Sequence, residues 1–288
     1  MANVEVFART EVGCARERNE DAFLVFSAAA GVEGQRPDQR VAELSPPGLL
    51  LAVCDGMGGA AAGDVASKLA VWALAEAVRS ARGFSDVAGA EAVLLEGIGR
   101  ANEAIRAHVA AHPQARGMGT TVVVAALFGA TAVIANVGDS RAYLLRGRRF
   151  VQLTTDQSVV GQMVARGEIS KAQARSFEQR NVLLQAVGVA SALRPEILEV
   201  DLAAGDTLLL CTDGLTGVLD DDRIADIALR KRDPVRVCRA LTEAACAEGA
   251  PDNVTVGVAR FVGPGLFVPR GPAPPAIRRR EATVGATS

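Results

Sequence analysis

The sequence predicts an α+β fold in which antiparallel sheets are covered by pairs of helices. Three observations predict it. Strand-like runs follow one another through short Gly-containing or charged turns, as hairpin-linked antiparallel strands do. Two amphipathic helical stretches, 63–80 and 88–111, are neighbours, and two more, near 221–231 and 234–248, are neighbours later in the chain. No internal repeat occurs, so the elements must share layers rather than stack as a solenoid.

Each element has its own signal. Residues 3–13 and 21–27 alternate as strands around the polar turn 14–20, and 28–47, rich in Gly, Pro and Gln, reads as an exposed loop. GLLLAVC (48–54) is a short apolar run ending in Asp-Gly, a buried strand. The helix over 63–80 takes Asp64 as its N-cap and presents Val65, Leu69, Trp72 and Ala75 on one face. The helix over 88–111 stops before Pro113. TTVVVAALF, ATAVIANV, SRAYLLR and RRFVQLT are β-branched or alternating strands. Residues 157–180 turn polar and helical. Strands follow near 182–187, 195–201 and 206–211. The helix at 234–248 has Asp233 and Pro234 at its start and Gly249 at its end. The strand NVTVGVARFV closes a domain spanning 1–262, and the Pro/Gly-rich, then basic, segment 263–288 reads as a disordered tail.

Bulk properties restrict the chemistry. The chain has 288 residues, 49% of them hydrophobic but only 4% aromatic, so Val, Leu, Ile and Ala must build the core. A net charge of −2 makes no case for nucleic acid or an anionic membrane as partner. No apolar run approaches the about 18 residues of a membrane span, and the start lacks the basic end and apolar run of a signal peptide. The five cysteines are odd in number and never spaced C-x-x-C, which fits reduced thiols and a cytoplasmic location. Only two histidines, His108 and His112, are present against 33 acidic residues. Oxygen-ligated hard cations are therefore the easier metal chemistry.

Asp55, Asp139 and Asp213 each follow a strand, whereas Asp252 precedes one. Since antiparallel neighbours end where the other begins, all four can meet at a single sheet edge, and Asp21, just before AFLVF, can join them. Clustered carboxylates repel, so such a cluster implies bound cations, Mg²⁺ or Mn²⁺ rather than Zn²⁺. Any one of these aspartates alone reads as a turn residue before it reads as a ligand; the small residues around DGMGG and GDSR are more than a minimal turn requires. Gly56-Met57-Gly58-Gly59-Ala60-Ala61 formally matches a dinucleotide-binding turn, but Asp55 would place a carboxylate against the pyrophosphate, and no acid-terminated partner strand follows. There is no P-loop.

Taken in order, the motifs resemble the type 2C (PPM) metal-dependent Ser/Thr protein phosphatases in their compact bacterial form. The matching stretches are Gly13-x-x-Arg16-x-x-Asn19-Glu20-Asp21, Val53 through Gly59 with Gly63-Asp64 and Ala66-Ser67, and Met118-Gly119-Thr120-Thr121. Asn136 through Arg141, Leu153-Thr154-x-Asp156-x-Ser158, Cys211 through Leu215, and Asp252-Asn253-Val254-Thr255 complete them. The resemblance implies a four-layer αββα sandwich, two antiparallel β-sheets flanked by helix pairs. It implies two or three Mn²⁺ or Mg²⁺ ions per chain. Asp55 would bridge two of them, the Gly56 carbonyl would bind one, Asp213 and Asp252 would hold the second, and Asp139 with Asp213 would serve a third. Glu20 and Asp21 would act through water, and Arg16 would grip the phosphate. Phosphoserine and phosphothreonine in proteins would be hydrolysed by direct attack of a hydroxide bridging two cations, opposing a Ser/Thr kinase, with the enzyme a monomer and residues about 157–181 a mobile flap. A non-catalytic phosphoprotein-binding relative would be expected to have lost metal aspartates, and all four are present.

The chain departs from the family at Met57, where some relatives carry a His that is a candidate general acid, and at Gln157, which replaces a common His. The flap carries Arg166, Lys171, Arg175 and Arg180 against Glu168 and Glu178, a net +2 (four minus two) that suits anionic substrates or a solvated face. In the tail, Arg278-Arg279-Arg280 precedes Thr283, a pattern several Ser/Thr kinases accept.

Overall fold

The computed structural model describes residues 2–29, 32–34, 40–58, 62–268 and 274–285. Two sheets face one another. The first combines β1 (Asn3–Glu11), β4 (Arg40–Glu43), β9 (Arg141–Arg146), β10 (Arg149–Gln152), β13 (Thr207–Cys211) and β14 (Val254–Val262), in the order β10-β9-β13-β14-β1-β4. The second combines β2 (Asp21–Ser27), β3 (Val32–Gly34), β5 (Leu49–Met57), β7 (Val122–Phe128), β8 (Thr131–Val137), β12 (Glu196–Asp201) and β15 (Ile277–Glu281), in the order β15-β12-β8-β7-β5-β2-β3, with β6 (Gly119–Thr120) beside the end of β5. Every pairing in both sheets is antiparallel.

The period of two decides the layering. In β5, Leu49, Leu51 and Val53 point into the core between the sheets, while Leu50, Ala52 and Cys54 point to the other face. There they meet α1 (Gly63–Ala81) and α2 (Val87–Ala111). In β13, Leu208 and Leu210 face inward, while Leu209 and Cys211 meet α6 (Asp221–Lys231) and α7 (Pro234–Ala247). Both sheets are thus apolar on both faces, and the four layers run helix pair, sheet, sheet, helix pair, as expected. Gly257 keeps the middle thin: a Cβ there would stand 3.0 Å from Leu51 Cδ1 of the opposite sheet.

Several expectations need correction. The N-cap of α1 is Ala62, and Asp64 lies in the first turn, where it pairs with Lys68 at 2.9 Å. Its buried face is mostly small, Ala66, Ala70, Ala73, Ala75 and Ala77 with Val71, Leu74 and Val78; of the expected face Ala75 is buried and Val65 and Leu69 are partly so, whereas Trp72 is 53% exposed. The reason is close packing: α1 lies against both the sheet and α2, whose Gly97 would carry a Cβ 2.9 Å from Leu74 Cδ2, and no indole fits such a contact. The expected strand 182–187 is only two isolated bridges, Ser158 to Leu183 and Thr120 to Val187. Residues 157–180 form two short helices, α3 (Val159–Ala165) and α4 (Lys171–Arg175), separated where Gly167 takes a left-handed φ of +72° and Ser170 caps α4 in a reciprocal Ser/Gln box.

The tail departs most. Residues 277–281 are not a disordered segment; they form edge strand β15 against β12, and β16 (Val284–Gly285) pairs with β11 (Ala192–Leu193). The three arginines that composition marks as solvated face carboxylates instead. Arg278 meets Glu199 and Asp201, Arg279 meets Glu196, and Arg280 meets Glu91 of α2. Val284 reaches the α2 core beside Gly99. Thr283 is exposed between the two strands.

Candidate metal and phosphate site

The site forms at one open end of the sandwich, between the sheets rather than along a single sheet edge. Asp55 continues the inward phase of Leu51 and Val53, and Asp21, directly opposite it in register, continues that of Phe23. From the other sheet, Thr212 and Thr255 lie out of phase with Cys211, Val254 and Val256, which face the helices, so their hydroxyls also point inward. Both hydroxyls donate to Asp21 Oδ2, at 2.9 and 2.6 Å, and tie the two sheets together.

Arg16, Glu20, Asp55, Gly56, Asp139, Asp213 and Asp252 line one cavity of about 320 Å³, together with Met57, Gly58, Thr121, Asn181 and Leu183. Of the eight residues singled out in the sequence, only Asp21 does not line it. The strand end bearing Asp55 is locked by Thr120 and Thr121. The Thr121 N–H and the Thr120 hydroxyl both donate to the Asp55 carbonyl at 2.8 Å, and the Asp55 N–H donates to Thr121 Oγ1 at 2.9 Å. Gly56 must be glycine, because a Cβ would stand 2.0 Å from the Gly63 carbonyl oxygen and 2.5 Å from that of Glu20. Gly56→Ala is expected to lower both thermal stability and activity, measured as Tm and phosphopeptide turnover; a fully active variant would argue against this close approach.

Asp139 sits on a loop held by Gln157, just before α3. The Gly138 N–H donates to Gln157 Oε1 at 2.8 Å and the Gln157 N–H returns a bond to the Gly138 carbonyl at 3.0 Å, so the glutamine that replaces a histidine clamps this loop. Asp213 opens the short helix α5 (Asp213–Thr216). Asp252 accepts from Arg16 Nη2 at 2.7 Å. Asn253, which carried no role in the sequence reading, organises the Arg16 loop: Nδ2 donates to the Val12 and Arg18 carbonyls, and Oδ1 accepts the Glu20 N–H. Its only sequence signal was its place beside Asp252.

The electrostatics call for cations. Burial, reinforced by the charges of Asp21, Asp213 and Asp139, holds Asp55 well above the usual carboxylate range. Burial and then Asp213 do the same to Asp139, and burial and then Asp252 raise Asp213. Burial lifts Asp21 to about 7 despite its two threonine donors. Asp213 Oδ1 is buried and has no hydrogen-bond partner. Such an oxygen is costly to leave unmade, and a cation is the partner that satisfies it and its neighbours together. Among the described residues no three acidic, imidazole or thiol groups close a ready-made cage; the oxygens stand around a shared space instead, which suits cations that keep part of their water shell. No histidine lines the cavity, and Met57 does.

Comparison with known proteins agrees with this geometry. The profile of the family described as protein phosphatase 2C matches residues 36–249. The chain is 36% identical to the serine/threonine phosphatase stp of Listeria welshimeri over 248 residues, covering 86% of this chain and 92% of that one. The crystal structure of serine/threonine phosphatase Stp1 from Staphylococcus aureus superposes with a TM-score of 0.79 at 32% identity, covering 90% of this chain and 96% of that one. That of the catalytic domain of the serine/threonine protein phosphatase PstP with two manganese ions superposes with a TM-score of 0.74 at 32% identity, covering 91% and 100%.

Proposed function

This chain belongs to the protein phosphatase 2C family, and we propose from that premise that its aspartate cavity is where phosphoserine and phosphothreonine esters of proteins are hydrolysed. The chain is a metal-dependent serine/threonine phosphatase. The observation that carries the assignment of the site is the convergence of four aspartates, the Gly56 backbone and Arg16 on one cavity, with a buried Asp213 oxygen left unpartnered.

Asp55, the Gly56 carbonyl, Asp213 and Asp252 would hold two Mn²⁺ or Mg²⁺ ions, and Asp139 with Asp213 a third. Glu20 would act through water from the cavity wall. Asp21, whose Oδ2 is taken by two threonines, would act from behind it by orienting Asp55 and Asp213. When bound, the cations supply charge to the phosphoryl oxygens and make a nearby water a nucleophile near neutral pH. Thr120 and Thr121 keep Asp55 in place, and Gln157 keeps the Asp139 loop in place. Arg16 offers N–H donors to the phosphate oxygens in the geometry a guanidinium suits. It is half exposed, at 51%, and among the described residues it is bound to Asp252, so it can turn to a phosphate when Asp252 takes a cation. No cysteine, serine or histidine is among the described residues that line the cavity, its aspartates are the groups assigned to the cations, and the Thr121 hydroxyl is engaged by the Asp55 N–H and Ser140, which favours direct attack by water. The substrates are phosphoproteins; a cognate kinase as opponent, a monomeric state and a cytoplasmic location are part of the same proposal. No described helix is long and apolar enough to cross a membrane.

The test is hydrolysis of a phosphothreonine peptide with Mn²⁺ and with chelator, followed by rapid acid quench with labelled peptide. Metal-dependent release without a labelled protein intermediate is expected, and a trapped phosphoenzyme would reject direct attack. Arg16→Ala should raise KM for the peptide about tenfold or more, equivalent to at least about 1.4 kcal/mol, with Arg16→Lys recovering part of it. An unchanged KM would remove Arg16 from phosphate binding.

A further inference from the structure

The C-terminal strap lies outside the stretch that matches the family profile, residues 36–249, yet its central arginine reaches toward the site. Arg279 stands opposite Leu198 in the β15–β12 register and sends its guanidinium into a pocket of acceptors. Nη1 donates to Glu196 Oε1 at 2.6 Å and to the Thr155 hydroxyl oxygen, and Nη2 donates to the Leu153 carbonyl at 2.6 Å. Glu196 is 6% exposed, and it also accepts from the Thr155 N–H at 2.8 Å and the Thr155 hydroxyl at 2.9 Å. A carboxylate this buried, deprived of the Arg279 cation, would be left among the described residues with the neutral Thr155 donors.

The segment this pair holds is the one from which the site is clamped. Asn136 Nδ2, three residues before Asp139, donates to the Thr155 carbonyl at 3.3 Å. Asp156 takes the Arg141 guanidinium in a two-oxygen grip at 2.6–3.1 Å, and Arg141 is two residues past Asp139. Gln157 exchanges two bonds with Gly138, and Ser158 caps α3, the first helix of the flap. Arg279, Thr155, Asp156, Arg141, Asp139 and Asp213 all line a second cavity, of about 410 Å³, which adjoins the metal cavity through the two shared aspartates.

We propose that Arg279 is a positioning residue for the phosphatase reaction: through Glu196 and the 153–155 segment it fixes Asp156 and Gln157, and thereby the Asp139 loop and the root of the flap. This rests on the reading of the cavity as the phosphatase site. Away from that segment, Arg278 pairs with Glu199 and Asp201 of β12 and Arg280 with Glu91 of α2, so they hold the strap to the sheet and to the helix layer but not to the site.

The experiment compares the full chain with Arg279→Ala, Arg279→Lys, Glu196→Gln and Arg278→Ala. Two readouts are used: kcat and KM for a phosphothreonine peptide at saturating Mn²⁺, and amide hydrogen exchange of residues 136–161 in chelator. Arg279→Ala and Glu196→Gln are expected to lower kcat/KM about tenfold and to speed exchange across 153–161. Arg279→Lys should recover part of both, and Arg278→Ala should match wild type in both. A loss of Tm with unchanged kinetics and exchange would make Arg279 merely structural and overturn the proposal. So would an equal loss in Arg278→Ala. A wild-type chain inactive on the peptide would defeat the phosphatase reading instead, and the exchange data would still decide whether Arg279 holds the segment.

Discussion

Asp213→Asn is expected to lower kcat/KM for a phosphothreonine peptide by about a thousandfold, roughly 4 kcal/mol of transition-state stabilisation, without unfolding the chain. Asp213, like Asp139, lines both the metal cavity and the cavity beside α3 and α4, and it is shared by the second and third proposed cation positions, so its loss weakens both together. Asparagine keeps its volume, and the surrounding backbone has little reason to move. Gly214 remains pressed against the Asn253 carbonyl, and Thr212 still donates to Asp21. The buried carboxylate itself is an unfavourable group when charged, because burial and then Asp252 raise its pKa. In chelator at neutral pH the variant should therefore melt no lower than wild type. Steady-state kinetics with Mn²⁺, paired with thermal melts in chelator, check both halves. Wild-type activity in the variant would remove Asp213 from the metal site. A collapsed melt in chelator would mean that the loss of activity reports folding rather than chemistry.

The layers were legible because strand phase is a local property. LLLAVC and VVVAALF are apolar at every position, which in an antiparallel setting demands cover on both faces, and two helix pairs were available to supply it. The aspartates were legible as a set because their position after or before strands brings them to one end. That they meet across two sheets was not, since it depends on which face of β5 is inner, and an all-apolar strand does not say. Trp72 misled because its size marks it as core, whereas the close α1 interface is filled mainly by alanines with Val71, Leu74 and Val78. The strap was missed for a different reason. Proline, glycine and three arginines in a row describe a solvated tail when read alone. The partners of Arg278 and Arg279 lie far earlier on β12 and that of Arg280 earlier still on α2, and nothing in these segments names the others. Asn253 and Gln157 were invisible as clamps because each acts on backbone atoms of a loop distant in sequence.

Mn²⁺ is expected to raise the melting temperature by about 5–10 °C when present at about 100 times its Kd, a stabilisation of about 2.7 kcal/mol, and the increment should grow with pH. The sign follows from the buried carboxylates. Asp55, Asp139, Asp213, Glu20 and Asp21 all have folded-state pKa values above their ordinary ones, each with burial as the first cause. A group raised in this way binds its proton more tightly folded than unfolded. Its contribution to stability is complete below the unfolded pKa, about 4, and is lost as pH rises through the folded value, which for Asp21 is about 7. In chelator these groups therefore make the chain progressively less stable from about pH 4 to about pH 7. A cation reverses the penalty, because it replaces the protons and turns mutual repulsion into shared coordination. Competition with protons weakens binding at low pH and fades as pH rises. Subtracting melts in chelator from melts in Mn²⁺, at pH 5.5 and at pH 7.5, cancels the carboxylates elsewhere on the surface and leaves the site. A larger difference at pH 7.5 is the expected result. A difference that is constant or shrinks with pH would mean that the cation does not bind among these acids, whatever its effect on activity.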